Sequence, residues 1–223
     1  MKFLGLRSKN KSGTNKTWGE FYRREYSKSD LFRFTRSYLK YFDYILNSKA
    51  KTILEVGVGS GMHTILLSLL GFEITGIDND EEILKRAEKY NREWKGKAKF
   101  LKMDAFDLKF PSKSFDLVIS EGLLEHFTDK EVGQLLKEQL RVGKEVVISL
   151  PSIGYPNPDF GNERLMKKEK WLGIIKKELP AIKILKAEYD GFRVDTIPHF
   201  ILTGKIFSLW RWRYKPRILI VIK

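Results

Sequence analysis

The 223-residue sequence predicts an α/β fold: a doubly wound, mostly parallel seven-stranded sheet with N-terminal helices and an inserted lid. Three observations carry that expectation. Short, nearly continuous apolar runs alternate with segments of helical period, the pattern of strands covered on both faces. The first complete unit, Thr52 to Val56, passes straight into Gly57-Val58-Gly59-Ser60-Gly61 and then into a helix. Acidic residues recur at or beyond the ends of the early strands, at Glu55, Asp78 and Asp104.

Residues 1–17 are rich in Lys, Ser, Asn, Gly and Thr and read as a mobile tail. From Ser29 or Asp30 the apolar positions Leu31, Phe34, Tyr38, Phe42, Ile45 and Leu46 fall on one face of a single amphipathic helix. After the first strand and its glycine turn, a helix carries Ile65, Leu66, Leu69 and Leu70 and stops at Gly71. Glu73 to Ile77, ending at Asp78, is the second strand. Asp80 is the N-cap of a helix with Ile83, Ala87, Tyr90 and Trp94 on one side, and Glu81 and Glu82 favour its first turn. Ala98 to Leu101 and Phe115 to Ser120 are the third and fourth strands. Thr128 and Glu131 have capping-box spacing before the helix of Val132, Leu135, Leu136 and Leu140, which Gly143 closes. Glu145 to Leu150 is the fifth strand.

Past Pro151 the alternation stops. Gly154 to Pro158 is turn chemistry, Arg164 to Leu179 reads as a charged surface helix ended by Pro180, and Ile182 to Tyr189 as a sixth strand. Arg217 to Ile222 is apolar enough for a buried seventh. Between them, residues 191–216 form a long connection containing Trp210-Arg211-Trp212-Arg213-Tyr214, of a length usually kept for function.

Composition narrows the chemistry. The chain has no cysteine, which excludes disulfides, cysteine-ligated metals and a thiol nucleophile. Its three histidines, His63, His126 and His199, are far apart in sequence, and no metal site is expected. No apolar stretch reaches the roughly 18–20 residues of a spanning helix, and the first residues lack the apolar core of a secretory signal, so a cytoplasmic protein is expected. The net charge of +14 is uneven. Residues 1–50 hold 12 basic and 4 acidic side chains, residues 201–223 hold 6 basic and none acidic, and the middle is balanced at 24 of each. Basic ends point to an anionic partner or to a solvated lysine surface.

A glycine-rich turn between strand and helix brings backbone N–H groups and a helix N-terminus to a ligand. The spacing here is G-x-G-x-G. The Gly-Lys-Ser/Thr of a phosphate loop is absent, and Met62 stands where a dinucleotide fingerprint has its third glycine. In an open parallel sheet the ligand lies beyond the carboxyl ends of the strands, so Glu55, Asp78 and Asp104 are expected to converge there. The two oxygens of Asp78 suit adjacent ribose hydroxyls, Asp104 suits an exocyclic purine amine, and Glu55 suits an ammonium group or the orientation of backbone donors. Three acids and no lysine around the turn favour a cationic ligand over a pyrophosphate.

As a set, these residues resemble the class I S-adenosylmethionine-dependent methyltransferases of Rossmann-like fold. Glu55 to Gly61 resembles the family's first motif, Gly76-Ile77-Asp78 its ribose-binding acid, Met103-Asp104-Ala105 its adenine-contacting turn and Phe115 to Ser120 its fourth strand. Glu121 to His126 resembles the segment beside the methionine moiety, and Trp18 to Tyr22 an aromatic segment that folds over the cofactor. The resemblance implies S-adenosylmethionine as cofactor, S-adenosylhomocysteine as product, and an antiparallel last strand. It implies Glu55, Gly57, Gly59, Gly61, Asp78, Asn79, Asp104, Ala105 and Glu121 as cofactor-binding, with His126, Glu121 and Glu125 as catalytic candidates and Tyr155 beside them. It also requires a hollow above Gly59, floored by main-chain amides. A single domain would then span 1–223: tail and cap helices over 1–49, the cofactor-binding core over 50–150, and the lid segment with the last two strands over 151–223.

The methyl acceptor is expected to be a small molecule, anionic in one reading because the regions that would face it (1–50, 152–180 and 191–216) are basic and aromatic. An RNA methyltransferase and a non-catalytic cofactor-binding protein stand as alternatives. Ser120-Glu121-Gly122-Leu123 occupies the place of an Asn/Asp-Pro-Pro-Tyr/Phe motif, which disfavours methylation of a base amine.

Overall fold

The computed structural model describes residues 18–155, 161–190 and 217–223. The N-terminal tail, His199 and the Trp210 to Tyr214 run lie outside the described residues. The strands are β1 (Thr52–Val56), β2 (Glu73–Asp78), β3 (Lys99–Lys102), β4 (Phe115–Glu121), β5 (Gly143–Pro151), β6 (Ile184–Asp190) and β7 (Arg217–Ile222). They form one sheet in the order β3-β2-β1-β4-β5-β7-β6. The first five run parallel, and β7 runs antiparallel to both of its neighbours. This is the doubly wound seven-stranded sheet that the alternation predicts.

Successive side chains of a strand point to opposite faces, and both faces of the central strands are apolar. On one face Leu54, Val118, Val146, Ile148 and Ile220 meet helices α6 (Asp129–Val142) and α7 (Lys168–Glu178) through Leu135, Leu136, Trp171 and Ile175. On the other, Ile53, Leu117, Ile119, Val147 and Leu219 meet Tyr41, Phe42 and Ile45 of helix α3 (Leu39–Leu46) and Leu67 of helix α4 (Met62–Leu69). Burial on both sides is what makes these strands unbroken apolar runs. The capping signals act as their sequence indicates. Asp80 accepts the N–H groups of Glu82 and Ile83 at the start of α5 (Glu81–Glu93), and Thr128 and Glu131 close a reciprocal box at the start of α6.

Three boundaries differ from expectation. The helix expected from Asp30 to Leu46 is two helices, α2 (Asp30–Arg36) and α3, broken at Tyr38 (φ −134°, ψ 40°). The break has a tertiary cause: the Asp190 carboxylate, at the end of β6, accepts the N–H groups of Lys40 and Tyr41 at 2.9 Å each, capping a new helix start from 150 residues away. Helix α7 begins at Lys168 rather than Arg164, because the Arg164 N–H is bonded to the Glu125 carbonyl at 3.0 Å. Ahead of the sheet, Trp18–Phe21 is a short helix, α1, that the sequence did not distinguish from its surroundings. Among the described residues no helix is long and apolar enough to cross a membrane.

Asp116 fixes the base of the sheet. Its Oδ2 accepts the N–H groups of Lys51 and Thr52 and the Thr52 hydroxyl, while Oδ1 accepts Lys144 at 2.7 Å. These donors, the Lys144 ammonium first, hold its carboxyl well below the usual range. A depressed carboxyl contributes stability above its unfolded pKa of about 3.9 and loses that contribution as pH falls. We expect Asp116→Ala to cost roughly 1–3 kcal/mol at pH 7, with the gap to wild type narrowing below pH ~4 in urea denaturation series.

Candidate active site

The glycine turn is tied to the neighbouring strand. The carbonyl of Ile77 accepts the N–H groups of Gly57 (2.9 Å) and Val58 (3.1 Å), and Gly61 donates to Val58 at 2.8 Å. Gly59 (φ +49°) and Gly61 (φ +73°) both lie in the left-handed region that side chains rarely adopt. Space forbids them too: a Cβ on Gly61 would lie 2.7 Å from the Ala87 Cβ, and one on Gly59 would lie 2.6 Å from the Tyr22 phenol oxygen.

Asp78 ends β2 beside this turn. Its carboxylate accepts the N–H groups of Asp80 at 3.0 Å and, at the long distance of 3.4 Å, Gly59. Burial raises its pKa, against the pull of those amides. Asn79 follows it, exposed. Asp104 lies two residues past β3, exposed; its Oδ1 accepts the N–H of Phe106 at 2.9 Å and so shapes its own turn. Ala105 packs on the core beneath. Glu55 is placed differently from the others. It is buried, bonded to the Thr64 hydroxyl, with His63 Nδ1 at 3.6 Å, so the carboxylate expected for an ammonium group is engaged by two side chains of α4. It braces the turn against the helix that follows.

The catalytic candidates gather at the end of β4. Glu121 is its last residue, Gly122 (φ +63°) turns the chain, and a single tight turn, Leu124–His126, presents Glu125 and His126. Burial pushes the Glu125 carboxyl up to about 8, leaving it protonated at neutral pH, and its Oε2 is buried without a hydrogen bond. Burial lowers the His126 pKa, against the hydrogen bonds the imidazole donates to the Asn162 side chain and the Gly122 backbone, so the imidazole is neutral at pH 7. Its Nδ1 lies 2.6 Å from the Asn162 Oδ1.

Two further groups complete this end of the sheet. The Trp18 ring stands edge-on to His126 at 4.9 Å and Tyr22 stacks on Trp18 at 6.3 Å. Burial raises the Tyr22 phenol strongly, and Glu121, Asp78 and Glu125 all lie near enough to raise it further. Asp78 of β2 and Glu121 of β4 both act on the Tyr22 phenol, which fills the hollow expected above Gly59; of the three acids expected to converge, Glu55 is turned to Thr64 and Asp104 to its own turn. The filler belongs to the strap over α5, where Arg86 holds the Tyr22 carbonyl at 3.3 Å, and not to the sheet or turn. It is a cover over the amide floor rather than part of it. Arg217, the first residue of β7, is ion-paired with Glu121. No local pattern marks Arg217 or Asn162 as site residues; only the long-range register brings them in. Among the described residues no group of three His, Asp or Glu could hold a metal ion.

The turn amides and the Asp78 carboxylate are groups an adenosyl moiety would use, but the hollow expected above Gly59 is occupied by the Tyr22 ring. Residues 53–145 match the methyltransferase domain family. The chain is 35% identical over 92 residues to phosphoethanolamine N-methyltransferase 3 of Arabidopsis thaliana, covering 40% of this chain and 19% of that one. It is 38% identical over 108 residues to phosphatidylethanolamine N-methyltransferase of Cereibacter sphaeroides, covering 46% and 52%. The chain thus spans about a fifth and about half of these relatives' lengths. The fold matches that of a methyltransferase in complex with the Haloferax volcanii Trm112 methyltransferase activator, with TM-score 0.70, 16% identity and coverage of 92% and 96%.

We expect Gly59→Ala to abolish detectable S-adenosylhomocysteine binding in calorimetry, since the left-handed dihedral opposes a side chain there. The raised Glu125 carboxyl contributes its full stability below the unfolded pKa of about 4.3 and loses it as pH rises toward 8. Glu125→Gln should therefore gain stability relative to wild type between pH 5 and pH 9 in thermal melts.

Proposed function

We propose that this chain, a class I S-adenosylmethionine-dependent methyltransferase by fold and by the sequence of its core, transfers a methyl group to a small-molecule acceptor. The observation that carries the reading is the left-handed glycine turn at the carboxyl ends of parallel strands with Asp78 at its side. The cofactor, when bound, supplies a methyl group already activated by a positively charged sulfur, so the protein's task is alignment and exclusion of water.

In this reading the amides of the Gly57 to Gly61 turn approach the cofactor and Asp78 receives its ribose hydroxyls. Asn79, Asp104 and Ala105 line the adenine side and Glu121 the methionine side. Glu55 acts indirectly, by holding the turn through Thr64 and His63. Trp18 and Tyr22 close over the site and keep water out. His126, neutral and oriented by Asn162, is in the form that accepts a proton from an acceptor oxygen or ammonium group. Glu125, uncharged, adds no second anion beside it. The phosphoethanolamine and phosphatidylethanolamine methyltransferases among the relatives support a small or lipid-derived acceptor bearing an amine and a phosphate. The cytoplasmic location expected from the sequence and the single-domain division at 1–49, 50–150 and 151–223 belong to the same proposal.

Calorimetry with S-adenosylhomocysteine is the direct test. Asp78→Ala should weaken that binding by roughly 10- to 100-fold, the loss of one or two charge-assisted hydrogen bonds. Turnover on small amines and phenols, insensitive to salt, would favour this reading. Turnover on RNA that falls steeply with salt would favour the nucleic-acid alternative. Cofactor binding with no turnover on any acceptor would leave a binding protein.

A further inference from the structure

Strand β7 spells Arg217-Ile-Leu-Ile-Val-Ile, and five of its six side chains are what a strand between two helical layers requires. The sixth is a charge. Arg217 is 8% exposed and is the only lysine or arginine among the described residues that is buried. Because β7 runs antiparallel to β5, its first residue pairs with the last of β5, Pro151, and with the end of β6, Asp190. It therefore lies at the end of the sheet that carries Glu121 and the glycine turn.

The guanidinium is ion-paired with Glu121 and lies 4.0 Å from the centroid of the Tyr38 ring and 5.2 Å from that of Tyr155. Burial opposes its charge, and the groups around it, Tyr38 and Glu121 foremost, outweigh that opposition and keep it a cation. Taking such a pair out of water is costly, and an apolar side chain of similar size is commonly tolerated as well or better. Stability therefore does not explain the charge. Glu125, which also acts on it, is uncharged near neutral pH, and Glu163 is the further carboxylate acting on Glu125.

We propose that Arg217 is the anion-docking residue of the acceptor pocket: its guanidinium, held by Glu121 against the rings of Tyr38 and Tyr155, receives the phosphate or carboxylate of the methyl acceptor. The inference rests on the methyltransferase reading above and names the acceptor class for that same site. A planar guanidinium offers a fork of N–H donors whose spacing matches two oxygens of either anion. The two tyrosine rings fix the plane of the fork, and Glu121 holds one edge of it in the absence of acceptor.

The test uses the full chain, with and without S-adenosylhomocysteine, titrated with inorganic phosphate and with benzoate and read by ligand-observed NMR. Wild type should bind at least one of the two anions, and which one it prefers identifies the acceptor's group. Arg217→Gln should weaken that binding about tenfold or more, and Arg217→Lys should retain part of it. Glu121→Gln, which removes the competing carboxylate, should tighten anion binding, and it keeps the test decisive if Arg217→Gln does not fold. Equal anion binding by wild type and Arg217→Gln, or none by wild type and Glu121→Gln, overturns the proposal. Failure to bind S-adenosylhomocysteine strikes the methyltransferase reading instead, and the titrations without it still decide the role of Arg217.

Discussion

The carbonyl of Ile77 accepts two N–H groups from the chain leaving β1, and much of the site's geometry follows from that bond pair. It binds the glycine turn to the neighbouring strand one residue before Asp78. The turn and the acid are thereby fixed relative to each other by backbone, independent of any side-chain rotamer. The three left-handed glycines then let the chain reverse into α4 within five residues. A residue with a Cβ at Gly61 would push α5 away at Ala87, so the same turn that makes the floor also sets how closely the second helix packs.

Above that floor the electrostatics are unusually sparse for a basic protein. Burial neutralises Glu125 and His126, and the tyrosines Tyr22 and Tyr38 are held far from ionising. The groups that act on these side chains are the Glu121 and Arg217 pair, Asp78 and Glu163. Tyr22 lies among these groups, against Gly59 and in the hollow expected above the glycine turn.

Legibility from sequence followed the range of the interactions. The strands, the Asp80 cap, the Thr128 box and the glycine turn rest on neighbours within a few residues, and they appear where the pattern puts them. The one-helix reading of 30–46 failed because the apolar period runs through Tyr38 unbroken, whereas the actual break comes from Asp190. Glu55 was legible only in its position before the glycines; that its carboxylate is engaged by Thr64 and His63 of the next helix depends on the fold. Asp104 has the right position, but its carboxylate is partly spent on its own turn.

The sequence by itself determined the α/β architecture and the position of the glycine turn with Asp78 beside it, because periodicity, capping and glycine spacing are local properties of the chain. Only the tertiary structure decided that Arg217 enters the site, that Glu125 is protonated and that Tyr22 covers Gly59. Each of those depends on burial or on strand register, quantities set by parts of the chain that are distant in sequence.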